Sequence, residues 1–299
     1  MFKARHILIT ALVAMTLLVL VGCSGTTERE SFDKYSWGEL AKIAAEISEA
    51  DSDADGLEIA ASYHLVDGSG KLDGKTKSVT LSDGTVANVM IVGVRQDNLA
   101  DGKTKAGLSL MFANAPVVQA MNSDSGNEGG WEKSEMRSWL NEDFLGMLPS
   151  DLKGAIKAAG KKTNNSGGTS PGSVSTTSDK LWLPSLVELS GSVSPGSLVG
   201  GTSGSGIPAA TYNAEGKQYQ LFAQKGATSG EGNSVLQRVF VGEDSNGSGI
   251  VVSGEASPWW QRSLSTTWTA GFEAVNAEGD PQKAWMSDYK LGVAPGFCL

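Results

Sequence analysis

Apolar residues recur at helical spacing near the start of the chain and give way to alternation further on. Ser36 and Glu39 form a capping box, and the apolar residues that follow share one helix face: Leu40, Ile43, Ala44 and Ile47. A second helical stretch, 57–65, follows the acidic turn DSDADG at 51–56. The two stretches predict a small helical hairpin within residues 32–68.

Alternation typical of strands begins after this hairpin. In KSVTLSDGTVANVMIVGV (77–94) an Asp-Gly turn separates two β-rich runs, which predicts a β-hairpin, and GLSLMFAN (107–114) predicts a further strand. Helical spacing returns in WEKSEMRSWLNEDFLGML (131–148), and many short strands separated by Gly, Asn and Asp fill the C-terminal third. This order of elements indicates the α+β class.

Two segments rich in Ser and Gly interrupt the pattern. Residues 163–178 and 190–206 are of low complexity and predict surface loops on either side of a strand at 180–185. Residues 70–299, which include both loops, show no long repeat. We therefore expect one domain with two long loops rather than an array of repeated units.

The N-terminal residues have the character of an export signal. Lys3 and Arg5 precede an apolar run, 7–21, which ends in LVGC. This resembles the bacterial lipoprotein signal and implies removal of residues 1–22, acylation of Cys23, for example with palmitate, and a polar tether at 23–31. The protein is then expected in the cell envelope, anchored by lipid to the outer face of the membrane. An uncleaved N-terminal anchor helix is the alternative.

Charge and cysteine content narrow the choice of partners. The chain has 24 basic and 33 acidic residues, a formal net charge of −9, which disfavours nucleic acid as a partner. With Cys23 acylated, Cys298 is the one cysteine left, so no intramolecular disulfide is expected. A lone cysteine between Phe297 and Leu299 is typical of a small buried apolar residue.

The candidate catalytic and metal-binding motifs fail on their context. His64 is the single histidine after cleavage, expected half-buried on a helix, and one histidine excludes a multi-histidine metal site. GTSPG at 168–172 matches a nucleophile elbow but lies in a predicted loop. DSDADG has the first half of a calcium loop, yet Ser62 stands at the position of the bidentate glutamate. We therefore expect no catalytic residue, metal or cofactor; paired carboxylates of a polysaccharide hydrolase stay open.

Four segments together carry a resemblance to a known family: GGWEKSEMRSWLN at 129–141, KLWLPSLVEL at 180–189, PWWQRS at 258–263 and LGVAPGFCL at 291–299. In this order they resemble bacterial surface lipoproteins with an uncharacterised C-type-lectin-like domain, related to the fold of the formylglycine-generating enzyme and sulfatase-modifying factor. The resemblance implies, over residues 70–299, an α+β domain with two helices and a twisted antiparallel sheet.

The resemblance also implies a structural framework. Its residues are expected in the core, with the arginine paired to a buried or half-buried carboxylate: Trp131, Trp139, Trp182, Trp259, Trp260, Arg262 and Cys298. The chain departs from the family pattern at Ala294 and Gly296, where relatives carry arginine and alanine. The enzymes of this fold use reactive cysteines, and because Cys298 alone is available, formylglycine chemistry is not expected.

Some relatives display variable ligand-binding surfaces on their last strands and loops, here residues 263–290. This stretch mixes aromatic anchors with adaptable polar groups, as binding surfaces do. The residues expected to contact a ligand are Ser265, Thr267, Trp268, Glu273, Asn276, Trp285, Asp288 and Tyr289. They predict an adhesin-like or receptor-like protein that binds a glycan or protein outside the cell without catalysis. An envelope hydrolase and a structural lipoprotein without a soluble ligand are the alternatives.

Overall fold

The structure, a computed structural model, describes residues 31–170, 172, 174–194, 206–243, 250–265 and 268–299. The helices are α1 Trp37–Glu49, α2 Asp53–Ser62, α3 Gly130–Lys133, α4 Glu135–Trp139, α5 Leu145–Met147, α6 Ser150–Ala155, α7 Leu186–Ser190, α8 Ala209–Asn213 and α9 Gln220–Gln224. The strands are β1 Thr76–Thr80, β2 Val86–Val94, β3 Leu108–Phe112, β4 Val117–Gln119, β5 Ala159–Asn164, β6 Val174–Asp179, β7 Trp259–Leu264, β8 Gly271–Val275, β9 Lys283–Met286, β10 Leu291–Val293 and β11 Gly296–Cys298.

Two larger sheets and one hairpin organise the described residues. A four-stranded antiparallel sheet has the order β1-β2-β3-β11, and a five-stranded sheet has the order β4-β10-β7-β8-β9. The pairing of β10 with β7 is parallel, and the other pairs of the second sheet are antiparallel. β5 and β6 form a separate hairpin. Short helices together with mainly antiparallel sheets make this an α+β fold.

The N-terminal helix pair begins where its capping residues lie. The Ser36 hydroxyl accepts from the Glu39 amide at 3.2 Å, and the Glu39 carboxylate accepts from the Ser36 amide at 2.8 Å, as the capping box predicts. α2 starts at Asp53, ahead of the predicted 57, because the Ser52 hydroxyl caps it through the Asp55 amide at 3.1 Å.

His64 lies beyond the end of α2 rather than half-buried on a helix. The residue is exposed, has φ of +54°, and follows a helix that ends at Ser62. The Leu65 amide bonds back to the Ala60 carbonyl at 2.9 Å, the closure that a left-handed residue makes possible at a helix C-terminus. The prediction for His64 was wrong because spacing alone continued the helix through this turn.

Arg95 fastens the helix pair to the first sheet. Its side chain donates to the carbonyls of Ile47 and Ser48 at 2.7 and 2.6 Å, at the C-terminus of α1, and to Asp53 of α2 at 3.0 Å. A cation at a helix C-terminus is favourable there because the last carbonyls lack helical partners. The loop after β2 is thereby held against both helices.

The predicted helix over 131–148 is broken into pieces. Ser134 is extended (φ −65°, ψ 143°) and its hydroxyl caps α4 through the Arg137 amide at 3.2 Å, so α3 ends before it. A π-helical turn, Leu140–Phe144, then separates α4 from α5. A side chain that can cap a helix start interrupts a continuous helix, which apolar spacing does not reveal.

One predicted loop is partly a β-hairpin. Within 163–178, residues 174–178 belong to β6, which pairs with β5 in regular register, with Thr177 and Asp179 buried on one face. The pattern was missed because the buried positions carry polar side chains. Of 190–206, residues 195–205 lie outside the described part of the chain. The predicted strand at 180–185 makes a single bridge, Trp182 to Gly296, before α7 begins.

The framework residues lie in or against the core. Six are fully buried: Trp131, Trp182, Trp259, Trp260, Arg262 and Cys298. The seventh, Trp139, is half-buried and packs on Phe144 at 5.5 Å between ring centroids. Within the part of the chain that the structure describes, no helix is both long enough and apolar enough to span a membrane.

Candidate functional site

Two of the predicted ligand residues are exposed aromatic side chains. Trp268 is 52% exposed and Tyr289 is 44% exposed. Among the described residues only Val86 and Val239 are other large apolar side chains with comparable exposure. We refer to Trp268, Asp288 and Tyr289 as the aromatic surface.

Backbone pairing brings this surface together. The turn at 268–271 precedes β8, the turn at 286–289 follows β9, and Gly271 lies opposite Met286 in the sheet. The Ser287 amide donates to the Ala270 carbonyl at 2.9 Å, which joins the two turns directly. Residues about twenty apart in sequence therefore share one end of the sheet.

A third segment, 122–127, flanks the two turns. The Ser125 hydroxyl donates to the Asp288 carboxylate at 2.5 Å, and the Gly126 amide donates to the Ser287 hydroxyl at 2.9 Å. A groove of about 420 Å³ adjoins this segment, lined by Ser123, Glu135, Trp139, Asp288 and Lys290 among others. It combines aromatic, amide, hydroxyl and charged groups, the mixture that binds sugars and polar peptides.

The remaining predicted ligand residues are placed differently. Ser265 and Glu273 are buried, and the Ser265 hydroxyl accepts from the Trp268 amide at 3.1 Å, so Ser265 holds the main chain at Trp268. Trp285 is half-buried against the core. Asn276 lies at the other end of β8, where its side chain accepts from the Asp280 amide at 2.8 Å.

Two predicted positions cannot be placed in this way. Thr267 and the acylation site Cys23 lie outside the described residues.

A second site, which the sequence did not predict, is a cleft of about 620 Å³ between the helix pair and the second half of the chain. We call it the charged cleft. Its walls come from α2, the loop after β2, β5, α7 and the segment between α8 and α9, and its charged residues are Asp53, Arg95, Asp97, Lys105, Lys161, Lys162, Glu188, Glu215 and Lys217.

The floor of the charged cleft is a buried ionic network. The Lys161 ammonium lies 2.6 Å from carboxylate oxygens of both Asp97 and Glu188. Arg262 pairs with both oxygens of Glu188, at 2.5 and 3.0 Å. Lys161 also lies over the Trp182 ring, 4.6 Å from its centroid, a cation–π contact. Arg262 thus has a carboxylate partner, as the resemblance implies, and the buried Glu188 supplies it.

The two buried glutamates of the cleft, Glu188 and Glu215, have pKa values shifted in opposite directions by their surroundings. Burial alone would raise the pKa of Glu188, but the charges and hydrogen bonds of Arg262 and Lys161 lower it to about 2. Burial raises the pKa of Glu215 to about 7, opposed by the charge of Arg262 and by hydrogen bonds from Ser263 and the Asn164 amide. Glu188 is therefore a fixed charge, and Glu215 titrates near neutral pH.

Cys298 contacts the ionic network at Asp97, but its thiol is expected to be unreactive. Its sulfur lies 3.8 Å from the Asp97 carboxylate, and burial together with this negative charge raises the thiol pKa well above its usual range. A thiol held protonated is a poor nucleophile and a poor metal ligand. Across the described residues there is no group of three or more His, Cys, Asp or Glu side chains placed to hold a metal ion.

Comparison with known proteins gives one match. Residues 108–299 match the family described as "Domain of unknown function (DUF6273)". No curated protein and no solved structure matches the chain. The match covers both turns of the aromatic surface, whereas four charged residues of the charged cleft precede it: Asp53, Arg95, Asp97 and Lys105.

Proposed function

The chain belongs to the DUF6273 family, and from this premise we propose that it is a lipid-anchored binding protein of the cell envelope that recognises a glycan or a protein surface without catalysis. The observation that carries the proposal is the exposure of Trp268 and Tyr289 on two adjacent turns. The proposed partner of these two side chains lies outside the cell.

Exposed aromatic rings of this size support a binding role. A buried tryptophan stabilises a fold, whereas an exposed one leaves apolar surface in water and gains when a ligand covers it. Indole and phenol rings stack on sugar faces and are common centres of protein interfaces. The Asp288 carboxylate and the adjoining groove supply polar groups that would orient such a ligand.

For the fold we propose a C-type-lectin-like domain related to the formylglycine-generating-enzyme branch. Support comes from the way the resembling segments meet: the Asn141 side chain accepts from the Lys180 amide at 2.8 Å, Arg262 pairs with Glu188, and Gly296 bridges Trp182. The described chain has more short helices than the two that the resemblance implies.

The lipid anchor is proposed from the residues before the described part of the chain. Lys3, Arg5, the apolar run 7–21 and LVGC support it. We expect Cys23→Ser to move the protein from the membrane fraction to the soluble or secreted fraction, or to leave it as an uncleaved precursor, with loss of palmitate labelling. Labelling and mass equal to those of the wild type would contradict the anchor. Cys298→Ser is the matched control and should keep the label.

The binding proposal is tested by removing both exposed rings. We expect Trp268→Ala with Tyr289→Ala to weaken binding to glycan arrays and surface extracts by about 30-fold, since each such ring is worth about 1 kcal/mol or more at an interface. The melting temperature should change little, because both side chains are exposed. Trp285 is unsuitable for this test because it packs against the core.

The matched control is Val86→Ala with Val239→Ala, which removes exposed apolar surface elsewhere and should leave binding intact. Equal affinity of the aromatic variant and the wild type would refute the aromatic surface as the site. Reducing-end release from the same polysaccharides, abolished by Glu215→Gln, would favour a hydrolase instead. Absence of any binding would favour a structural lipoprotein.

A further inference from the structure

The charged groups on the floor of the charged cleft are paired with one another, whereas the lysines on its rim have no ion-pair partner in the described part of the chain. Each carboxylate that lines it has a protein partner: Asp53 bonds Arg95, Asp97 and Glu188 share Lys161, and Glu215 accepts from the Asn164 amide and the Ser263 hydroxyl at 3.0 and 2.5 Å. The acidic groups are therefore already satisfied within the protein.

Three lysines on the rim have no such partner. Lys105 precedes β3, Lys162 lies on β5, and Lys217 lies between α8 and α9, so three separate segments each contribute one lysine to the lining of the same cleft. Among the described residues none of the three forms an ion pair, whereas Arg95 and Lys161, the other cations of the cleft, both do. In a chain with a formal net charge of −9, this is a local excess of positive charge.

Such an excess attracts anions. Five cations and four carboxylates line the cleft, which leaves a small net positive charge, and a net charge of one sign raises the local concentration of the opposite ion. Lysine is a flexible point charge that binds phosphate and carboxylate without strict geometry. The cleft, about 620 Å³, is of the size that encloses a small molecule, and its paired floor is rigid because buried ions hold each other in place.

We propose that the charged cleft binds a small polyanion, a molecule with two or more carboxylate or phosphate groups, through Lys105, Lys162 and Lys217. A cation is disfavoured because the carboxylates are already occupied. A neutral ligand would leave the three ammonium groups unpaired. This site is separate from the aromatic surface and does not depend on a ligand there.

The test uses the full chain in detergent at low ionic strength and isothermal titration calorimetry. Pyrophosphate and citrate are the probes for phosphate and carboxylate, and glucose is the neutral comparison. We expect saturable binding of at least one of the two anions, and its weakening by added salt. Which anion binds more tightly distinguishes a phosphorylated from a carboxylated natural ligand.

The decisive variant is Lys105→Gln, Lys162→Gln and Lys217→Gln combined, which should weaken anion binding by about tenfold or more, as three partly exposed charge pairs are lost. The matched control is Lys42→Gln, Lys133→Gln and Lys225→Gln, three exposed lysines away from the cleft with the same change in net charge, and it should bind as the wild type does. If both triple variants lost the same anion affinity, the effect would come from overall charge and the proposed site would be refuted. Absence of binding of either anion to the wild type would refute it as well. Because these variants leave Trp268 and Tyr289 intact, failure here would leave the binding results for the aromatic surface unchanged.

Discussion

Replacing Arg262 by methionine is expected to lower the free energy of unfolding by about 3–5 kcal/mol, the usual result of removing one partner from a buried ion pair. Arg262 is fully buried and donates to both oxygens of Glu188, to the Thr163 hydroxyl at 2.9 Å and to three main-chain carbonyls, those of Lys162, Leu183 and Glu215. The variant leaves these acceptors buried without their donor. Urea unfolding followed by tryptophan fluorescence measures the loss.

An exposed pair gives the comparison for this prediction. The Lys75 ammonium lies 3.0 Å from Asp73, and the lysine side chain is 57% exposed. Lys75→Met should cost less than about 1 kcal/mol, because water screens exposed pairs. If Arg262→Met cost no more than Lys75→Met, the buried network would contribute little to stability and our account of it would fail.

The second large effect is a dependence of stability on pH. The pKa of Glu215 is about 7 in the folded protein and 4.5 is its ordinary value, so between these values the folded state holds a proton that the unfolded state releases. Stability from this group is complete below pH 4.5 and is lost as the pH rises through 7. At 1.36 kcal/mol per pKa unit, the loss is about 3 kcal/mol.

Glu188 acts in the opposite sense at lower pH. Its pKa is about 2 in the folded protein, below its ordinary 4.5, so its contribution is lost as the pH falls from 4.5 towards 2. The two glutamates together place the stability maximum near pH 4.5. A maximum near neutral pH would contradict this assignment.

The variant Glu215→Gln isolates the contribution of one carboxyl group. Glutamine keeps the size of the side chain and does not titrate, so the fall in unfolding free energy between pH 4.5 and 7 should largely disappear. Glu231→Gln, at an exposed position, should leave the fall unchanged. Urea midpoints measured at half-unit steps of pH for the three proteins make the comparison.

Local features of the fold could be predicted from the sequence. The Ser36 capping box, the β1–β2 hairpin with its Asp-Gly turn and the strand at 108–112 follow from spacing and turn chemistry alone. β6 was missed because its buried face carries Thr177 and Asp179, which a hydrophobic pattern does not mark. Alternation fails as a guide where both faces of a strand are buried, as in β7 and β8.

The candidate sites depend more on long-range packing. Composition predicted a ligand-binding surface within 263–290. It did not predict which side chains there are exposed, as Trp268 is, and which are buried, as Glu273 is. The charged cleft could not be predicted because the ion pairs of its floor join residues far apart in the chain: Lys161 and Glu188 are 27 residues apart, and Glu188 and Arg262 are 74 apart. Charged residues are usually exposed, so nothing in their own segments marks them as buried partners. The only local signal is the capping box of α7, which fixes Glu188 at its third position.

The pairing of β11 with β3 has a kinetic consequence. Ser109 and Cys298, opposite each other in this pair, are 189 residues apart in sequence, and β10 pairs with β4 after a nearly equal interval. Each sheet is complete only after its own long loop has closed, and the conformational entropy of closure is lost before the new contacts form. Until that step, β3 and β4 each present an unpaired backbone edge to other molecules. Refolding should therefore be slow, and its yield should fall with protein concentration, because association at these edges competes with closure.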